Sequence, residues 1–576
     1  MKRLILSLAL IATPLAAQEA VQPEKTFALD PKPAVTGSTY MVAAAHPLAV
    51  QAGEAVLQGG GTAADALVAV QLALNLVEPQ SSGIGGGAFL LYWDAGTRRL
   101  TSLDGREKAP AAATPEYWLG EDGQPLGWWN AVVGGRSVGV PGTLKLLEEA
   151  HDRWGQRNWA GLVRPIAGMA ERGFEISPRL ESSIAGATTT GLGDFPATRA
   201  YFLNEDGTAK RAGTTLRNPA FARTLRSVAA RKSTALHHGP LAGEIVAAVK
   251  TEKNPGILTL SDLAGYDVIE RAPVCAPYRG HEVCGMGPPS SGGLTVGQIL
   301  MLLEHFDMAA YAPGSGREAE GRHLLAEAMK RAYADRGLYM ADSDYVRMPG
   351  GLLDPAYMTQ RAQGISRMTA GGTAEPGNPP WREAALWSPD TDPERPGTSH
   401  IVIRDAYGNA ASMTTTIETG FGSRVMVGGF LLNNELTDFS RAPEADGRPI
   451  ANRVEGGKRP RSSMAPTIVL KDGKPVLLIG SPGGSRIIAY VAQSLVAILD
   501  WNLPLADALA LPHTLNRNGD KTDVEEGAEG LAAGLEAIGH TVNIRNLNSG
   551  LHAIRIDGET LTGAADPRRE GVALGE

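Results

Sequence analysis

The junction Gly397-Thr398, inside the stretch DPERPGTSHIVIRD (residues 392–405), is where nucleophilic chemistry is most readily built. A charged, Pro-rich connector stops at Gly397, and a β-branched run starts at once with Thr398. A threonine hydroxyl is a weak nucleophile until a base takes its proton. Cutting the preceding peptide bond supplies that base, because the new α-amine has a pKa near ~8 and sits on the same residue. Such chemistry needs a small residue before the threonine, a mobile preceding segment and a rigid strand behind it. Gly397, residues 371–397 and the run His-Ile-Val-Ile meet those three needs.

Other residues compete for attention. GRSVG (135–139) fits the GxSxG pattern of a serine nucleophile elbow centred on Ser137, but Pro141-Gly142 stand where a helix should begin. A serine hydrolase using Ser137 therefore remains a rival. GIGGGAF (83–89) follows a helix pattern and precedes a strand pattern, the reverse of a dinucleotide-binding loop, so close packing or a ligand-facing backbone is expected there. Cys275 and Cys284 lie symmetrically about Arg279-Gly280, which predicts a disulfide across a hairpin, with two free thiols as the alternative. Two thiols alone lack the further ligands that a zinc site needs.

The elements that must position these residues follow from pattern. Residues 46–58 read as a helix ended by three glycines, and Thr62 with Asp65 forms a capping box opening a second helix to about Val77. That second helix is apolar nearly all round and should be buried. Residues 88–107 read as a hairpin, and 143–370 as mostly helical. Residues 371–397 show no periodicity and are expected to be a mobile linker. Beyond Thr398 two hairpins are predicted, turning at Ala406–Asn409 and at Asp472-Gly473. Helices first and strand pairs late suggest sheets sandwiched between helical layers rather than a doubly wound parallel fold.

Six motifs in chain order carry a stronger signal: EPQSSGIGGGAF (78–89), DGREKAP (104–110), SMTTTIETGFGS (412–423), FLLNNELTDFS (430–440), RPRSSMAPTIV (459–469) and GSPGGSRII (480–488). Together with the Gly-Thr junction they resemble the γ-glutamyltransferase family over most of the chain. The resemblance implies an α+β fold of the N-terminal-nucleophile type, a four-layer αββα sandwich. It implies a precursor that cuts itself before Thr398 into a large fragment (18–397) and a small one (398–576), which stay together as a heterodimer. Thr398 then matches the nucleophile and Thr416 the threonine that hydrogen-bonds it. The N–H groups of Gly483 and Gly484 match the oxyanion hole. Arg106, Ser462 and Ser463 match the groups that hold the donor's α-carboxylate, and Glu435 and Asp438 those that hold its α-ammonium. A γ-glutamyl donor such as glutathione, with water, an amino acid or a dipeptide as acceptor, is implied; no metal or organic cofactor is.

Two departures bear on specificity. Glu418 stands where the family usually has asparagine; placed on a strand two residues from Thr416, it should face the same pocket. The segment between Asp438 and Ser462 is short and has no aromatic residue beyond Phe439 to gate the pocket. A related acylase, for instance one acting on cephalosporins, and a binding protein that never matures are the alternatives.

Composition sets the outer bounds. The 576 residues are 43% hydrophobic and 20% charged, ordinary for a globular chain, and a net charge of −8 without a basic block argues against nucleic-acid binding. The first 17 residues have two cations, a short apolar run and small residues near Ala17, as in a secretory signal peptide. No later stretch is long and apolar enough to span a membrane without charges or helix breakers. A periplasmic or secreted protein is expected.

Overall fold

The strand Thr398–Arg404 pairs antiparallel with Ala410–Thr416, and this hairpin forms the centre of one sheet. Both faces of it are buried, which is why a near-continuous β-branched run is used in place of simple alternation. Ile401, Ile403, Ala411 and Met413 pack outward against the helix Ala63–Val77, while Val402 and Ala410 face the second sheet. At the turn, the Asp405 carboxylate accepts from the N–H groups of Tyr407 and Asn409 and also from Ala63 N, fixing the hairpin to the start of that helix.

The computed structural model describes residues 25–27, 29–380, 387–391 and 394–576. The expected signal peptide, residues 1–17, and part of the expected linker lie outside the described residues. Two seven-stranded sheets, antiparallel throughout, stack face to face. The first runs in the order 572–575, 41–44, 398–404, 410–416, 87–94, 99–105, 269–271, and the second 35–37, 560–565, 552–557, 474–480, 467–471, 281–285, 274–278. A thin apolar layer including Met41, Leu91, Val402, Ile468, Leu478 and Ile554 lies between them. Helices Pro47–Gln58 and Ala63–Val77 cover the outer face of the first sheet. Gly292–Leu303, Glu318–Tyr339 and Ile487–Leu499 cover that of the second. The result is a four-layer αββα sandwich, an α+β fold.

The capping box at Thr62 and Asp65 is formed, and every residue of Ala63–Val77 is buried. Asp472 and Gly473 both have positive φ, 50° and 66°, as the tight turn between Thr467–Lys471 and Lys474–Gly480 requires. The middle of the chain is less purely helical than its periodicity suggests. Strands 269–271, 274–278 and 281–285 interrupt it and supply one edge of each sheet. In the last two, Cys275 stands opposite Cys284, with the sulfurs 2.04 Å apart. The described residues of 371–397 have no helix or strand, yet they are tied down at several points: Gly371 to Glu327, Gly377 to Asp335 and Ser388 to Pro449.

Strands from before and after Gly397 lie side by side in both sheets. Strand 398–404 lies between 41–44 and 410–416, and 572–575 lies outside 41–44. Cutting the chain at residue 397 therefore breaks no ladder.

Candidate active site

Register places Thr398 directly opposite Thr416 at the end of the central hairpin. Thr416 donates its hydroxyl proton to the Gly397 carbonyl oxygen at 2.7 Å and accepts from Glu418 N at 2.8 Å. The Thr398 hydroxyl is 3.4 Å from that of Thr416 and donates toward it. The Thr398 hydroxyl, the Thr416 hydroxyl and the Gly397 carbonyl thus form one chain of hydrogen bonds. Glycine is needed at 397 because a Cβ there would lie 2.1 Å from the Glu418 carbonyl oxygen. The glycines of GIGGGAF run beneath the same hairpin. A Cβ on Gly86 would lie 1.9 Å from the Thr416 carbonyl oxygen, so this motif serves close packing.

Arg106 follows the strand Arg99–Gly105 and is fully buried. Its Nη1 donates to Glu435, its Nη2 to Asp438 (2.6 Å) and Arg461 O (2.9 Å), and its Nε to Pro460 O (3.2 Å). Arg106 and the two acids expected to bind a carboxylate and an ammonium therefore pair with each other here. The short helical turn Glu435–Asp438 aims both acids inward. Glu418 joins them, but not by strand alternation: the strand ends at Thr416, and Glu418 has φ 74° in the turn that follows. Ile417 leaves the ladder to pair with Ser81 O and Asn434 N, and this swings Glu418 into the cavity. Asn434 Nδ2 donates to Glu418 Oε2 at 2.9 Å.

Arg106 thus meets three acids, Glu435, Asp438 and, beside Glu435, Glu107, while Glu418 lies against Asp438. Burial, with repulsion from Asp438, pushes the Glu418 carboxyl well above the usual range. Burial likewise raises Glu435, and it pushes Glu107 and Asp438 up to about 8 against the pull of Arg106. Glu418 Oε1, Glu435 Oε2 and Asp438 Oδ1 are buried and receive no hydrogen bond from any described donor.

The opposite wall carries positive charge. Ser462 and Ser463 lie at the cavity edge, and Ser463 Oγ accepts from Arg336 Nη2 at 2.8 Å. Arg336 also holds Glu394, and Arg461 Nε stands 3.7 Å from the same Glu394 oxygen. These two arginines outweigh burial and hold Glu394 below the usual carboxylate range. Gly484 lies in the wall, with Gly483 just behind it; their φ values of 59° and 137° favour glycine. They lead through the turn Gly484–Arg486 into the helix Ile487–Leu499, so their N–H groups lie at the positive end of its dipole.

The cavity enclosed by Arg106, Thr398, Thr416, Glu418, Glu435, Asp438, Ser462, Ser463 and Gly484 has a volume of about 20 Å³. That is room for roughly one water; Glu394, Arg395, Met464 and Ile487 complete its lining. Sequence reasoning missed Arg336, Glu394, Arg461 and Glu107. Arg461 and Glu107 are direct neighbours of motif residues, and Glu394 lies three residues before Gly397, so position could have flagged them. Nothing distinguishes Arg336 among the other arginines of helical segments.

Ser137 takes no part. It is buried, with its hydroxyl donated to Val132 O (2.6 Å) and Gly134 O (3.0 Å), and it ends a short helical turn instead of sitting on a strand-to-helix elbow. One group among the described residues, His323, Glu327 and His540, has ligand-type atoms within 4.8 Å of one another. Lys330 and Arg331 both occupy its carboxylate, which makes it a poor cation site. No helix among the described residues is long and apolar enough to cross a membrane.

Comparison with known proteins agrees with this geometry. Residues 49–576 match the family described as gamma-glutamyltranspeptidase. The chain is 38% identical to the glutathione hydrolase proenzyme of Bacillus subtilis strain 168, over 97% of this chain and 94% of that protein. It is 34% identical to the acylase ACY 1 proenzyme of Pseudomonas sp. strain SE83, over 95% of each chain. The solved structure of cephalosporin acylase from Bacillus halodurans superposes with a TM-score of 0.82 at 27% identity, covering 95% of this chain and 97% of that one.

Proposed function

The chain belongs to the gamma-glutamyltranspeptidase family, and from that premise we propose an exported, self-cleaving γ-glutamyltransferase and glutathione hydrolase with Thr398 as nucleophile. The observation that carries this reading is the hydrogen-bonded chain from Thr398 through Thr416 to the Gly397 carbonyl. In the first reaction Thr398 Oγ attacks the Gly397 carbonyl carbon, and Thr416 steadies the charge that develops on its oxygen. The C–N bond breaks, the nitrogen takes the proton and becomes the α-amine of Thr398, and water hydrolyses the resulting ester. The two fragments stay associated because their strands interleave in both sheets.

In the second reaction the α-amine accepts the Thr398 hydroxyl proton and Oγ attacks the γ-carbonyl of a glutamyl amide. The N–H groups of Gly483 and Gly484 take the oxyanion. The proton passes to the leaving amine, and water or an acceptor amine releases the γ-glutamyl ester. The unpartnered oxygens of Glu418, Glu435 and Asp438 suit the donor's ammonium. A second reading, an acylase with altered acyl preference, is favoured by Glu418 and by the acylase relatives.

Purified protein should yield a fragment whose N-terminal sequence is Thr-Ser-His-Ile-Val, should hydrolyse a γ-glutamyl anilide, and should remain one chain as Thr398→Ala. Cleavage of the alanine variant at the same bond would remove Thr398 from the role. A cleaved parent that turns over a glutaryl amide but no γ-glutamyl amide would favour the acylase.

A further inference from the structure

We propose that Arg336 and Arg461 are further ligands of the donor's carboxylate, and that Glu394 occupies their place until the chain is cut. This rests on the reading of the site given above. Glu394 lies three residues before the scissile Gly397, and its carboxylate is buried between the two guanidinium groups beside Ser463. Its own backbone and that of Arg395 cover the oxyanion glycine: a Cβ on Gly484 would lie 2.6 Å from Arg395 O and 3.0 Å from Glu394 O. A carboxylate is thus held at one end of the cavity while peptide carbonyls lie over the other. An acyl donor bearing a carboxylate would have to occupy both places.

Arg106 cannot serve this role unaided as the site stands. Its nitrogens are committed to Glu435, Asp438 and two main-chain carbonyls. Arg461 differs: its Nη2 donates to Asp390 at 2.9 Å, but its buried Nε has no hydrogen-bond partner and faces Glu394. Arg336 Nε is held by Ser291 Oγ at 2.8 Å, leaving Nη2 to Glu394 and Ser463. When cleavage frees residue 397 and the Glu394 side chain withdraws, Arg336 loses the carboxylate it pairs with and Arg461 keeps Asp390 alone. A buried guanidinium left without a counter-ion is costly, so an incoming carboxylate is favoured there. The pre-cleavage chain is on this account held inactive by a built-in copy of the group that its substrate must bring.

Two measurements test this. In the uncleavable Thr398→Ala precursor, the added change Glu394→Ala should create a carboxylate site. Sodium acetate should then raise its melting temperature saturably at constant ionic strength, and leave Thr398→Ala alone unmoved. In the mature enzyme, Arg461→Met should raise KM for a γ-glutamyl anilide about tenfold or more with kcat little changed. It should leave the rate on the 4-aminobutyryl anilide, which lacks the carboxylate, near that of the parent, and Arg461→Lys should recover part of the preference. A merely structural role would lower both donors together. The proposal is overturned if the two precursors respond alike to acetate, or if Arg461→Met keeps the parent's preference for the carboxylated donor. A cleaved parent inactive on γ-glutamyl anilide would instead overturn the assigned function.

Discussion

Thr398 and Thr416 face each other across the central hairpin with their hydroxyl oxygens 3.4 Å apart, and the second hydroxyl donates to the carbonyl just before the first. In the proposed mechanism Thr416 acts in maturation as well as in turnover. Thr416→Val keeps the shape but removes the donor to Gly397 O, so self-cleavage should slow by about 10²-fold, the usual cost of losing one oxyanion donor. Thr416→Ser keeps the hydroxyl and should mature at a rate near the parent's. Time courses of the two bands on a denaturing gel decide it. Equal rates for valine and serine would place the relay elsewhere.

Much of this site was legible because its residues sit in contiguous motifs. The hairpin beginning at Thr398, the turn at Asp472-Gly473 and the capped helix at Ala63 follow from local pattern alone. What pattern could not convey is the pairing of charges across distant segments. Arg106 engages Glu435 and Asp438 from more than three hundred residues away, and Arg336, on the outer-layer helix Glu318–Tyr339, meets Glu394 from a separate segment of the chain. Glu418 shows the limit from the other side. Period-two reasoning aimed it at the pocket, and it is there, but a left-handed turn residue delivers it after the strand has ended.

The acid cluster around Arg106 makes stability depend on pH in a predictable direction. Burial raises Glu107 and Asp438 to about 8, so the folded chain keeps protons that the unfolded chain has released by about pH 4. Their contribution is fully present below the unfolded pKa values and is lost as the pH rises through about 8. The melting temperature of the Thr398→Ala precursor should therefore decline between pH 5 and 8.5, and Glu107→Gln should flatten that decline. A profile unchanged by Glu107→Gln would show that this carboxyl is ionised throughout.

Cys275 and Cys284 occupy opposed positions on the edge hairpin of the second sheet. A disulfide there closes a ring of ten residues and contributes about 3 kcal/mol in the loop-entropy model. Alkylation without reductant should leave both residues unmodified, and reduction should lower the melting temperature while leaving turnover intact, because the hairpin is remote from Thr398 in the chain of layers. Two alkylated thiols in protein recovered under oxidising conditions would refute the bond.

Glu418 is the residue most able to set donor preference. It brings a third carboxylate toward the place of a single ammonium, with Asp438 as its strongest repulsive neighbour and Asn434 as its hydrogen-bond donor. Three acids against Arg106 and one incoming ammonium leave one negative charge in excess, so repulsion raises at least one carboxyl's pKa. Lowering the pH protonates more of this cluster and weakens its hold on the donor's ammonium, so binding should weaken on the acid side. Glu418→Asn removes the excess. It should raise kcat/KM for simple γ-glutamyl amides severalfold and extend the acid limb of the pH profile, because the remaining acids then ionise at lower pH, while maturation proceeds, because the contact with Thr416 comes from the Glu418 main-chain N–H. A donor carrying a second positive charge should show the reverse, losing affinity when Glu418 is replaced. If kcat/KM matches the parent for both kinds of donor across pH 6–10, Glu418 does not touch the donor, and its burial serves only the turn that follows Thr416.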